Sequence, residues 1–143
     1  MSNSSGGAML SAMYQERLLA EYRAPHNRRE LADATARAER KNPVCGDAVS
    51  VLVRVEGGVV QESTFTGQGC SIAVASASVL TQVVVGVSVA LVRELVAQVE
   101  SMLSGEAAVA LPALLDPLRG AARFPARHGC VMMPWLAVRD ALE

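Results

Sequence analysis

Three cysteines and an aspartate fall in three short clusters: Cys45-Gly46-Asp47, Gly67-Gln68-Gly69-Cys70 and Arg127-His128-Gly129-Cys130. Each cluster lies where an ordered element should begin or end, so three thiolates and one carboxylate can converge on a single cation. Four ligands of that kind (Cys45, Asp47, Cys70 and Cys130) suit tetrahedral zinc. Taken singly, the same residues have plainer explanations. An isolated Cys is commonly a small buried hydrophobe, and an Asp after Gly46 commonly satisfies its own turn. As a ligand, Asp47 would be a hard oxygen among soft sulfurs, which makes one position more exchangeable than in an all-thiolate site and so suits chemistry.

The elements that must position these residues follow from periodicity. Leu10, Met13, Tyr14, Leu18 and Tyr22 recur at helical steps as an apolar stripe, and Ala24-Pro25-His26-Asn27 should stop that helix. Ala34–Glu39 alternates like a short edge strand. From Val49, four valines (49, 51, 53 and 55) share one face of a strand while Ser50, Leu52 and Arg54 share the other. Glu56-Gly57-Gly58 turns this strand into a second, Val59–Thr66. Cys45 just precedes the first strand and Cys70 just follows the second. Antiparallel pairing makes those two ends neighbours, so Cys45, Asp47 and Cys70 should be close in space.

Ser71–Val85 reads as a helix ended by Gly86, with Ile72, Val79, Leu80 and Val83 able to face a core. Ser88 can cap a further helix, Val89–Leu103, with Gly105 just past its end; its stripe from Leu91 to Leu103 reads as core before partner surface. Pro112 and Pro117 restrict Glu106–Gly120 to one short helix with irregular flanks. A last helix should begin near Cys130, with Pro134 tolerable only in its first turn. Three strands and about five helices make an α+β domain, with a small antiparallel sheet packed against the helices. Cys70 and Cys130 then sit at helix N-termini, where unsatisfied N–H groups and the positive dipole end favour a thiolate. Met132-Met133 beside Cys130 could serve the core or, if exposed, mark where a partner docks. His26 and His128 read as turn and surface residues rather than ligands.

Composition bounds the function. A chain of 143 residues with 51% hydrophobic content can fill one core. Thirteen basic against fourteen acidic residues leave a formal charge of -1, and with five aromatics there is little with which to hold nucleic acid. Val83–Val92, the most apolar stretch, is far short of the roughly 20 residues that span a bilayer, which argues against a membrane partner. Residues 1–8 are small and polar, unlike a secretory signal, and read as a disordered tail before a single domain over residues 9–143. An odd cysteine count without a signal points to thiols kept reduced, hence to the cytoplasm.

Three segments together resemble the U-type iron-sulfur cluster assembly proteins: Asn42-Pro43-Val44-Cys45-Gly46-Asp47, Gly67–Ser78 and Phe124-Pro125-Ala126-Arg127-His128-Gly129-Cys130. Tyr22-Arg23-Ala24-Pro25-His26-Asn27-Arg28 is similar to a further family segment. Within that IscU/SufU and NifU N-terminal family the chain resembles the SufU branch. Cys70 and Cys130 are 60 positions apart (130 minus 70), longer than in Isc-type scaffolds; Gly129 stands where those scaffolds carry a His, and their Leu-Pro-Pro-Val-Lys motif is missing.

The resemblance implies a SufE/NifU-like fold and a zinc-dependent sulfurtransferase that accepts persulfide sulfur from a SufS-type, pyridoxal-phosphate cysteine desulfurase and serves downstream cluster assembly proteins. It carries over Cys45, Asp47, Cys70 and Cys130 as zinc ligands. In the family picture a desulfurase histidine displaces Cys45, which then takes the sulfur by thiolate attack on an S–S bond. Arg127 matches a family arginine that could stabilise the freed thiolate or the persulfide; a solvated surface Arg is the alternative. Two other functions stay open: a scaffold assembling a [2Fe-2S] cluster on the same thiolates, and a purely structural zinc domain. The last is disfavoured because a core of this size should fold without metal, and structural sites usually close with Cys and His.

Overall fold

The valine-rich run from Val49 forms the centre of a three-stranded antiparallel sheet in the order β1-β2-β3, where β1 is Ala36–Asn42, β2 Asp47–Glu56 and β3 Val59–Gln68. The structure is a computed structural model that describes residues 3–42, 46–105 and 111–143. Gly57 and Gly58 take left-handed φ values of 60° and 75°, the backbone that a two-residue hairpin loop requires. In the resulting register Asn42 lies opposite Asp47, and Ala48 opposite Gln68. The end of β1, the start of β2 and the end of β3 therefore share one end of the sheet.

Val49, Val51 and Val53 with Phe65 form the buried inner face. Helix α2 (Ser71–Val83) packs on β3, and α4 (His128–Ala141) packs on β1 and β2. Helix α3 (Val89–Leu103), which packs against α4, adds Val92, Leu95, Val96, Val99, Met102 and Leu103 to the core. Ser88 caps α3 by accepting the Leu91 N–H at 3.3 Å, as its position predicts. Leu91 itself is exposed, so the α3 stripe begins at Val92. Where α2 and α4 touch, buried Ser76 donates to the Val131 carbonyl at 2.7 Å and accepts from Trp135 Nε1 at 3.0 Å.

Helix α1 spans Asn3–Arg23 and therefore takes in residues 3–8, read from the sequence as a disordered tail. No proline interrupts residues 3–23, and extending a formed helix needs no new nucleus, although Gly6 and Gly7 each cost about 1 kcal/mol relative to Ala. Its expected stripe is only partly right. Leu18 is 3% exposed, but Met13 is 57% exposed and Tyr22 also faces solvent. The docked face instead carries Glu21, which accepts from Ser78 Oγ and Gln82 Nε2, each at 2.7 Å. A polar seam thus joins α1 to α2, and hydropathy alone could not register it. On its other flank α1 meets a 3₁₀ helix, Ala113–Ala121, so closely that a side chain at Gly120 would begin 2.8 Å from the Gln15 backbone N.

The remaining differences have local causes. β1 is displaced toward the site, because its pairing with β2 runs to Asn42 rather than stopping at Glu39. The region around Pro117 holds one short helix, as expected; residues 106–110 lie outside the described residues. Helix α4 starts at His128, which puts Pro134 in its interior instead of its first turn. Proline there leaves the Cys130 carbonyl without an N–H four residues on. Met132 and Met133 are both buried, so they belong to the core and not to a docking surface.

The sheet's second face is also covered. Leu52 and Thr64 are fully buried, although both point away from the helices. Residues 28–35 cross that face as a strap. It begins beside β3, where Arg28 bridges Phe65, and ends in the β1 ladder, where Thr35 N–H bonds to Val53 O at 2.8 Å. On the way Arg29 pairs with Glu62 on β3, Glu30 with Arg37 on β1, and Asp33 with Arg54 on β2. Buried Leu31 supplies apolar cover between them. The Thr64 hydroxyl has no hydrogen-bond partner among the described residues. On the helix-covered face, Arg40 on β1 bonds Asp140 near the end of α4 at 2.7 and 3.1 Å; these bonds raise the guanidinium pKa above its ordinary value. Among the described residues no helix is long and apolar enough to cross a membrane.

Candidate metal centre

At the end of β3 the chain has to turn off the sheet, and Gly67 makes the turn with φ +107°. A Cβ there would stand 2.1 Å from the Ala48 carbonyl oxygen, so only glycine lets the two strands approach this closely. Three residues later Cys70 is the extended N-cap of α2 (φ −63°, ψ 167°), and its side chain makes no capping bond. Its thiol is thereby left for other chemistry. Asp47, the first residue of β2, reaches across, and its Oδ2 accepts the Cys70 N–H at 2.9 Å. A carboxylate at a helix N-terminus is electrostatically favoured. It also has a second oxygen, so this bond does not exhaust Asp47 as a donor.

Cys130 comes from the opposite direction, in the first turn of α4, and is 8% exposed. One ligand atom from each of Asp47, Cys70 and Cys130 lies within 4.8 Å of the others. Three of the four residues singled out from sequence spacing therefore meet at the sheet end shared by β2 and β3. The fourth, Cys45, lies outside the described residues. Two thiols and a carboxylate, with an apolar wall of Val49, Phe65, Ala73, Val74, Ala77 and Met133 packed about Cys130, form a donor set that fits zinc.

Neither histidine joins this cluster. His128 Nε2 lies 2.8 Å from the Ala122 carbonyl, which can only accept, so that nitrogen carries the proton. The ring lines a shallow cleft with Glu100, Leu103 and Met132. His26 instead belongs to the turn after α1, its backbone N–H donating to Ser78 Oγ at 2.7 Å. Arg127 is exposed at the head of α4 and lines a cleft of about 320 Å³ with Leu18, Leu19, Ser71, Ile72 and Phe124. No carboxylate among the described residues pairs with it. At Gly129 a Cβ would meet nothing within 4 Å, and the residue borders the same cleft as His128.

The model of the NifU-like N-terminal domain matches residues 13–116. The chain belongs to this family. Two relatives span nearly the whole NifU-like chain. The zinc-dependent sulfurtransferase SufU of Bacillus subtilis is 30% identical over 140 residues, 96% of this chain and 95% of the relative. The iron-sulfur cluster assembly scaffold protein IscU of Thermotoga maritima is 33% identical over 135 residues, 92% and 93% of the two chains. The crystal structure of a nitrogen-fixing NifU-like protein from Brucella abortus superposes with a TM-score of 0.81 at 24% identity, over 90% of this chain and 91% of that one. That likeness carries the α+β fold, a three-stranded antiparallel sheet packed against helices. What the NifU-like fold does here is to bring three chain segments to one end of the sheet.

Proposed function

We propose that this NifU-like protein is a zinc-dependent sulfur acceptor in iron-sulfur cluster assembly, taking persulfide sulfur from a SufS-type cysteine desulfurase in the cytoplasm. The observation that carries the reading is the meeting of Asp47, Cys70 and Cys130 within 4.8 Å. Zinc at that position would be held by these residues with Cys45, and when bound it supplies charge that keeps thiols deprotonated. Cys45 is the acceptor. It is two residues from Asp47, so the chain cannot carry its Cα more than about 7 Å from that of Asp47. Its thiolate attacks the outer sulfur of the desulfurase persulfide; the new S–S bond forms as the old one breaks, and the desulfurase leaves as a thiolate. Arg127, unpaired by any carboxylate among the described residues, is available to balance the anionic sulfur on Cys45.

A [2Fe-2S] scaffold is the second reading, favoured by the IscU relative at 33% identity and by the ability of the same thiolates to hold iron. Against it, no histidine takes part in the cluster. The structural-zinc reading fares worse, since two apolar clusters already fill the domain.

The deciding experiment is elemental analysis of the purified protein together with turnover of a SufS-type desulfurase in its presence. Zinc with stimulated turnover, lost in Cys45→Ala, is the expected result. Iron with inorganic sulfide and no stimulation would establish the scaffold, and zinc without stimulation a structural role.

A further inference from the structure

We propose that Arg28 is a positioning residue for the Cys70 loop, holding it in register with Asp47 and Cys130 from the far side of the sheet edge. The inference rests on the metal reading above and adds a residue that the ligand set does not include. Three consecutive residues after α1 are fastened to different elements. His26 N–H donates to Ser78 Oγ on α2 at 2.7 Å, and Asn27 Nδ2 donates to Thr81 Oγ1, one helical turn on, at 3.1 Å. Asn27, held at φ 59°, offers its carbonyl to the Phe65 N–H on β3 at 3.0 Å. The turn is therefore tied to both elements that flank the Cys70 loop.

Arg28 extends this tie to the loop itself. Successive residues of a strand direct their backbone groups to opposite sides. Phe65 turns its N–H away from β2 toward Asn27, so Gly67, two residues on, turns its carbonyl the same way. That carbonyl lies on the sheet edge with no fourth strand to meet it. Arg28 Nη2 donates to it at 2.9 Å, and the guanidinium stands 5.9 Å from the centre of the Phe65 ring. On its inner side Gly67 abuts the Ala48 carbonyl. Gly67 is thus held from both sides at the point where the chain leaves the sheet for Cys70. Without the outer contact, residues 67–69 can swing away from β2, and the Cys70 N–H loses its alignment with Asp47 Oδ2.

The test compares Arg28→Met, which keeps an apolar stem over Phe65 but cannot donate, with Arg28→Lys and with Arg29→Ala as a neighbouring strap control. Zinc affinity, from competition with a chromophoric chelator, should fall about tenfold in Arg28→Met, within the range seen when a residue orienting a metal ligand is lost. Arg28→Lys should keep most of the wild-type affinity, and Arg29→Ala should lose none of it. The thiolate-to-cobalt absorption of the Co²⁺-loaded protein should shift in Arg28→Met alone. Amide exchange at Cys70 in the metal-free protein should quicken in the same variant, which tests the clamp even if the wild-type protein binds no zinc and the metal reading fails. Arg28→Met with wild-type affinity, spectrum and exchange, or Arg29→Ala with an equal loss, would overturn the proposal.

Discussion

Asp47 serves two structural roles at once, as backbone acceptor for Cys70 and as a member of the donor cluster. The two roles separate by substitution. Asp47→Asn keeps an acceptor oxygen and removes the charge, whereas Asp47→Ala removes both. Zinc affinity should fall at least ~10-fold in either variant, while only Asp47→Ala should also expose the Cys70 amide to faster exchange. Wild-type zinc retention in both variants would exclude Asp47 as a ligand. Gly67 is the less forgiving position. Gly67→Ala forces a Cβ to within 2.1 Å of the Ala48 oxygen at a φ that side chains avoid, so urea unfolding should show a loss of about 2 kcal/mol or more. At this scale the sequence was informative because thiols and a carboxylate in turn-rich contexts are chemically distinctive. Arg28 gave no such signal. An arginine in a polar loop looks like any solvated charge until the strand edge beside it is seen.

Helices and strands were recoverable to within a few residues wherever one period dominated, as in the Val49–Val55 alternation and the Ser88 cap of α3. Prediction failed where polar groups did the packing. Glu21 lies on the docked face of α1 because α2 offers Ser78 and Gln82 to meet it. The interior position of Pro134 was missed because a sequence cannot show how an interrupted helix is held from outside. Ser76 is part of that support, bonding the Val131 carbonyl and the Trp135 indole in the α2–α4 interface. Ser76→Ala strands a buried Trp135 N–H, so denaturant unfolding followed by tryptophan fluorescence should lose about 1–3 kcal/mol. Since α4 carries Cys130, the same variant should weaken zinc retention. An unchanged midpoint would mean that the indole finds another acceptor.

For the molecule as a whole, two apolar clusters with a strap over the opposite sheet face hold the domain together, and the candidate centre lies at the sheet end shared by β2 and β3. Removing zinc with a chelator should lower the melting temperature and leave the far-UV circular dichroism in place; bound metal at a hundredfold excess over its Kd adds only about 2.7 kcal/mol. Collapse of the helical signal on chelation would instead point to the structural role. Within the strap, exposed ion pairs are each worth up to about 1 kcal/mol, whereas burial of Leu31 is worth more. Leu31→Ala should therefore cost about 2 kcal/mol or more by urea unfolding, and Glu30→Ala close to nothing. The covered second face was not foreseen, since Ser50, Leu52 and Arg54 gave no hint of what would lie across them.

The strap enters at one margin of the sheet and leaves at the other, and its Arg28 and Arg29 are exposed. A single peptide bond severed there would leave every rung of the ladder in place. It would still part the covering from all three strands together and loosen the rim from which the thiol-bearing loop is hung. Resistance of that one stretch to a trypsin-like protease is thus a condition for keeping the centre assembled, although none of its side chains belongs to the donor cluster.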